Sequence, residues 1–276
     1  MKVKQRTPKA EVEVESQTTD VAVVETRKNL PALPADWQEE LGKEAKDAAA
    51  LEVPSAQAFS TRAGVLSYNG QAMPDNQVDV VILGVAHANS MFINKFDPNN
   101  IVSPLCFAVK LDGGEMVPHE NSYKPQAEEC TGCEMAEWGS DPNSPSGRGK
   151  MCKETRKLAL VSASDLAEGL DKAPIVTISV PVTSVENWGG YVNLLAATAK
   201  RPVWSVITRI KLTPHPKNQF VMSFEAVDAI NDTDELTAIK ARRETAAKIV
   251  LTPFGMMSEE QYKDITEPKP VKARKF

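Results

Sequence analysis

The chain has 276 residues, an ordinary hydrophobic content of 42% and a formal net charge of −5. That length suits one large domain or two small ones with a sizeable core, and the longest apolar runs are far too short to span a bilayer. Net acidity argues against a uniformly basic nucleic-acid binder. Charge is segregated, however: residues 145–217 hold eleven Lys/Arg against five Asp/Glu, which leaves a local electrostatic footprint if those charges share a surface.

Residues 1–52 read as a flexible charged N-terminal arm. Lys2 to Glu25 lack steady periodicity, Leu30-Pro-Ala-Leu-Pro34 reads as a linker, and Asp36 is placed to cap a short helix through Ala50. No secretory signal pattern opens the chain. The domain proper is expected over 53–255. Gly64–Tyr68, the Asn69-Gly70 turn signal and Val78–Leu83 predict a hairpin or meander. Leu105–Leu111 and Lys157–Ser162 predict strands on either side of a cysteine-bearing insertion at about 103–155, and Ile175–Val180 predicts another. Thr183-Ser-Val-Glu186 has the form of a capping box ahead of a helix through Lys200. Val203–Leu212 and Gln219–Val227 alternate as strands, and Asp232–Val250 reads as a final helix. From Met256 to Phe276 the polar, Pro-containing sequence predicts a flexible tail. The fold class expected is mainly β (α+β): an OB-like Greek-key barrel with a zinc-bound loop insertion and one or two helices packed on it. A β-sandwich or an α+β sheet is the competing arrangement.

All four cysteines, Cys106, Cys130, Cys133 and Cys152, fall within one 47-residue window, and two of them form Cys130-Thr-Gly-Cys133. A closed structural zinc site needs four soft ligands with no open position, and this set supplies that count. Two disulfides are the competing reading, disfavoured in a reducing compartment. His119, the one histidine inside the window, is the alternative to one thiolate. A catalytic centre is not expected. The three histidines lie in different segments, and no zinc-deaminase, phosphate-loop or nucleophile-elbow pattern occurs.

Single-strand binders combine a cationic groove with aromatic platforms. Arg148, Lys150, Lys153, Arg156 and Lys157 place five cations in ten residues, with Glu154 the one opposing charge. Phe92 and Phe96, flanked by Asn89, Ser90, Asn94, Asp97, Pro98 and Asn99, are the expected platforms. Trp188, Tyr191, Trp204 and Phe220 are further candidates, more readily explained as core. Asp141–Lys150 reads as a flexible basic loop with amides available to phosphates, or as a solvated connector. Trp138 is expected to pack over the metal site.

Ser103-Pro-Leu-Cys106, Lys124-Pro-Gln-Ala-Glu-Glu-Cys-Thr-Gly-Cys133, Trp138-Gly-Ser140 and Gly147-Arg-Gly-Lys-Met-Cys152 resemble a pattern in a family of tailed-bacteriophage proteins found among replication and recombination genes. Val180-Pro-Val-Thr-Ser184, Trp188-Gly-Gly-Tyr191 and Val206-Ile-Thr-Arg209 fit the same family's second half. The resemblance covers roughly residues 60–230. It implies a phage protein made in the cytoplasm of the bacterial host, with the four cysteines as metal ligands. An architectural analogy links it to the zinc-containing single-stranded DNA-binding proteins of T4-type phages. Those use a histidine ligand and end in an acidic tail, whereas this chain offers four cysteines and ends Lys272-Ala-Arg-Lys-Phe276. The expectation is therefore a non-enzymatic single-stranded DNA-binding protein of replication or recombination, with structural Zn2+, no membrane association, and phage or host replication proteins as further partners. The alternative is a zinc-stabilised factor that docks on a polymerase or nuclease without touching DNA.

Overall fold

The computed structural model describes residues 58–94, 102–144, 147–166, 169–170 and 173–266, together with positions 34, 37, 40 and 41. The chain divides into two units, Met1–Val53 and Pro54–Phe276, and the second contains every element below. Most of the expected arm helix, with Phe96 and the residues after 266, lies outside the described residues; Trp37, Glu40 and Leu41 within it are helical.

Three two-residue strands, β1 (Phe59–Ser60), β2 (Ser67–Tyr68) and β3 (Gln71–Ala72), form a small antiparallel sheet. Asn69-Gly70 is its turn, with φ of 49° and 79°, the left-handed pair that a two-residue hairpin loop requires. The main sheet is antiparallel. It comprises β4 (Gln77–Met91), β5 (Cys106–Lys110), β6 (Cys152–Ser162), β7 (Val176–Val180), β8 (Val206–His215) and β9 (Gln219–Ala229). Its order is β7-β6-β4-β8-β9, with β5 also on β4. The protein is thus mainly β, and no pairing between β7 and β9 closes the path among the described residues.

The fifteen-residue β4 organises the rest. One edge pairs with β6 from Val80 to Met91, and the other pairs with β8 over Gln77–Val80 and with β5 over His87–Met91. A register shift between Ile82 and Gly84 leaves Leu83 as an extra residue, and such a bulge bends the strand. The helix α2 (Thr233–Val250) crosses there. A Cβ on Gly84 would sit 3.4 Å from the Ala246 backbone, and Arg243 Nε donates to the Leu83 carbonyl at 3.1 Å. Asp232 starts α2 by accepting from the amides of Asp234 and Glu235 at 2.8 and 2.9 Å, as an N-cap should.

The sheet is a middle layer. On one face Val80, Ile82, Leu158, Leu160, Ile178 and Met222 pack with Trp188 and Tyr191 of α1 (Val185–Leu194). On the other, Val81, Leu83, Ala159 and Val161 pack with Ile239, Ala246 and Val250 of α2. The capping box expected at Thr183–Glu186 does not form: Thr183 lies within a 3-10 turn (Val182–Ser184), and Ser184, at the N-cap position, caps no helix amide. Its hydroxyl accepts instead from the Met222 amide of β9 at 2.8 Å. The helix also stops earlier than expected, passing at Leu195 into a wide turn that Lys200 ends at φ 53°. The tail differs as well. Met257 is buried and α3 (Glu259–Thr266) is formed, with Tyr262 stacked on Tyr123 at 4.9 Å. No helix among the described residues is long and apolar enough to cross a membrane.

Across β4 and β8, Arg209 holds Asp79 with two bonds of 2.8 Å. That hydrogen-bonded guanidinium keeps the Asp79 carboxyl below its ordinary range, against the opposing effect of burial. A depressed carboxyl contributes stability above its unfolded pKa of about 4 and loses it as pH falls through the folded value. Asp79→Asn is therefore expected to lower the urea midpoint at neutral pH, with the gap to the native protein narrowing below about pH 4. Urea melts across that range would show it; a gap independent of pH would remove the charge from the explanation.

Candidate metal centre and nucleic-acid interface

Cys106 opens β5 and Cys152 opens β6, and both are register partners of Met91 at the end of β4. Register partners share a face, so the two thiols lie on the same side of the sheet, flanking the Met91 side chain. The knuckle is brought over them by a backbone bond from the Cys130 amide to Met116 O at 2.8 Å. Gly132, at φ 73°, supplies its left-handed residue. All four cysteines line one cavity of ≈ 20 Å³, together with Asn89 and Glu129. That volume is of the order of a single small guest.

All four are free thiols. Burial pushes the Cys152 thiol up to about 12, and Cys130, Cys106 and Cys133 push it in the same direction, opposed by Lys150. Cys130 is raised by burial, against a hydrogen bond from Asn89. The thiols are therefore close enough to feel one another's charge. Among the described residues, though, no three His, Cys, Asp or Glu side chains are gathered as a ready ligand cluster. The register supplies a physical reason: Cys106 and Cys152 stand two strand spacings apart, roughly 10 Å between backbones. In donor chemistry and cavity size the set suits one soft divalent cation, while the thiols stand more open than direct ligation needs. His119 does not line the cavity; it stacks on Phe107 at 5.0 Å, and its Nδ1 accepts from the Asn121 amide at 3.0 Å.

Packing around the cysteines comes from distant chain. Met91, Leu105 and Met257 form a small core, with Tyr123, Met135 and Tyr262 against it. In its described residues the Asp141–Lys150 loop, expected to be flexible, is braced together with the residues flanking it. The amides of Gly139 and Asp141 both donate to Gly149 O at 3.0 Å, and Ser140 Oγ accepts from the Met151 amide at 2.9 Å. Gly149 is required there, since a Cβ would fall 2.7 Å from that of Ser144.

The five expected cations do not form one surface. Strand alternation sends Lys153 and Lys157 to one face of β6 and Arg156 to the other. Arg156 is 9% exposed and donates to Glu154 at 2.9 Å. Lys153 donates to Asp141 at 3.1 Å and to the Lys150 carbonyl. Lys157 donates to Thr252 O at 2.8 Å, and burial lowers its pKa. Arg148 and Lys150 remain in the loop before β6, Arg148 exposed and Lys150 partly so.

Phe92 is part-exposed just beyond β4, edge-on to Phe254 at 6.3 Å, and Lys157 Nζ lies 5.8 Å from the same Phe254 ring. One expected platform and one expected cation thus meet through a residue the sequence reading passed over. The signal for Phe254 was available: an aromatic in the loop-like Thr252-Pro-Phe-Gly255. Trp188 and Tyr191 are core, and Trp204 and Phe220 are partly buried against it. Trp138 reverses its expectation. It is 75% exposed, with Lys150 Nζ 4.9 Å from its ring centre.

No protein-family model, curated protein or solved structure matches this chain. The likeness to phage proteins therefore stands on the quoted residues alone.

Proposed function

We propose that this protein binds single-stranded DNA, without catalysis, through an OB-like barrel whose first strand-to-strand connection carries a zinc-stabilised module. The observation that carries the reading is the strand order β7-β6-β4-β8-β9 with α1 between β7 and β8. An OB barrel has this order when opened between its third and fifth strands, its helix lying between the third and fourth. β4, β6, β7, β8 and β9 then correspond to strands one to five. The start of α1 supports closure on that side. Ser184 accepts from the Met222 amide of β9, and Asn187 Nδ2 donates to Met222 O at 3.0 Å.

In such barrels oligonucleotides use the outer face of strands two and three with the loops after strands one and four. Here α2 packs on the outer face of β4 and β6, which leaves the connection after β4 as the favoured surface. That connection is the cysteine module. Zinc, when bound, would supply folding energy rather than chemistry. Cys106, Cys130, Cys133 and Cys152 would hold it, drawing the two strand ends and the knuckle together. The phage resemblance extends the proposal to replication or recombination in the bacterial cytoplasm.

The test is a salt titration of binding to a fluorescent oligothymidine, using protein of assayed metal content. Log affinity is expected to fall linearly with log salt, with a slope of about −0.7 per phosphate neutralised on a single strand. Binding indifferent to salt, or none by folded, metal-loaded protein, overturns the proposal and favours docking on a replication protein instead.

A further inference from the structure

Trp138 is the most exposed of the described aromatic residues, ahead of Trp37 of the first unit at 55%. Trp188 and Tyr191 are buried, and Phe92 and Phe254 show about a third of their surface, against 75% for Trp138. Burying a large aromatic is favourable by default, so one left in solvent needs an explanation in its surroundings. Those surroundings hold it out. Gly139 follows it at φ 92°, and both Gly139 and Asp141 are tied to the Gly149 carbonyl. Ser140 Oγ donates to Glu137 O at 2.8 Å and receives the Met151 amide at 2.9 Å, and the Gly149 amide donates to Ser144 Oγ at 2.9 Å. The indole is therefore displayed by a hydrogen-bonded frame running directly into β6.

Its nearest charged neighbours are one of each sign. Glu137 precedes it, and the Lys150 ammonium lies 4.9 Å from the ring centre. A site for an apolar protein segment would surround the ring with further apolar surface. A flat ring with a cation over one face suits a nucleobase instead: the opposite face takes the base, and the ammonium takes the phosphate next to it. A pre-set frame also reduces the ordering cost of binding.

We infer that Trp138 is the principal base-stacking platform of the module and Lys150 its phosphate contact, an inference that rests on the single-stranded DNA reading above. The experiment compares native protein, Trp138→Ala and Trp138→Phe on oligothymidine and on an abasic chain of equal length. Thermal melts should coincide, since the side chain is exposed. Loss of the ring is expected to weaken oligothymidine binding roughly 5- to 150-fold, with Trp138→Phe retaining most of the affinity and no difference between proteins on the abasic chain. Native protein that binds oligothymidine while Trp138→Ala binds it equally well removes Trp138 from the site and leaves the DNA reading standing. An equal loss on the abasic chain would assign the residue a structural role instead of stacking. If native protein binds neither chain, the DNA reading fails and this inference with it.

Discussion

Protein expressed with zinc is expected to carry one metal ion per chain, and Cys152→Ser to carry far less. The variant should also become sensitive to proteases across residues 111–151, between β5 and β6, while its main sheet stays folded. Cys152 is chosen because it sits where the module joins the sheet: it opens β6, pairs with Met91, and packs with the small core of Met91, Leu105 and Met257. Structural zinc in small peptides is worth roughly 10–16 kcal/mol near neutral pH. A module whose own core has three buried apolar residues would depend heavily on a contribution of that kind. Serine keeps the size and removes the thiolate, but it also leaves a hydroxyl among apolar neighbours, which by itself costs about 1–3 kcal/mol. Chelation of the native protein separates these effects, since it alters no side chain. Matching protease patterns for chelated native protein and Cys152→Ser would assign the loss to metal. If native protein purified with zinc holds none, the four-cysteine centre is not a zinc site. Spectroscopic metal analysis decides this before any binding measurement.

Much of the sheet was legible because its strands are apolar or β-branched runs bounded by turn residues. Val78–Leu83 and Gln219–Val227 each lie within an observed strand, and Ile175–Val180 exceeds its strand by one residue. What escaped was the far half of β4, from Gly84 to Met91. Its Asn89 and Ser90 read as loop residues beside Phe92, whereas Asn89 lines the cysteine cavity from within the strand and Ser90 is buried. The first five residues of β6, Cys152–Arg156, were missed as well. The four cysteines were legible as a set from their count alone, and the structure does line one cavity with them. The openness of their arrangement depends on a register that passes through Met91, which no spacing rule reveals. Trp138 was misplaced because the packing it was expected to provide comes from Met257 and Tyr262, more than a hundred residues later. Ser184 had the right identity for a cap, but a buried amide at Met222 takes its hydroxyl.

Truncating Ile239 should damage the molecule in the opposite way to Cys152→Ser. Ile239 is fully buried beneath α2, in a cluster with Val81, Leu83, Ala159 and Val161 of the sheet. Removing most of that side chain is expected to cost about 2–5 kcal/mol, the lost transfer free energy plus the cavity left behind. At about 2–4 °C per kcal/mol for a domain of this size, the midpoint should fall by roughly 4–20 °C. The site has little room to collapse, because Ala246 already lies against Gly84 and Arg243 pins α2 to the Leu83 carbonyl. The cluster around Ile239 and the cluster around the cysteines have no residue in common. Below its melting range, Ile239→Ala should therefore keep native metal content and native affinity for oligothymidine. Costs at sites without shared partners add to within about 0.5 kcal/mol, so the double variant with Cys152→Ser should show the sum of the two losses in a urea melt. A clear departure from that sum would mean that the strands reaching both clusters, β4 and β6 foremost, transmit strain between helix and module, and the module would then have to be regarded as part of the main sheet's core.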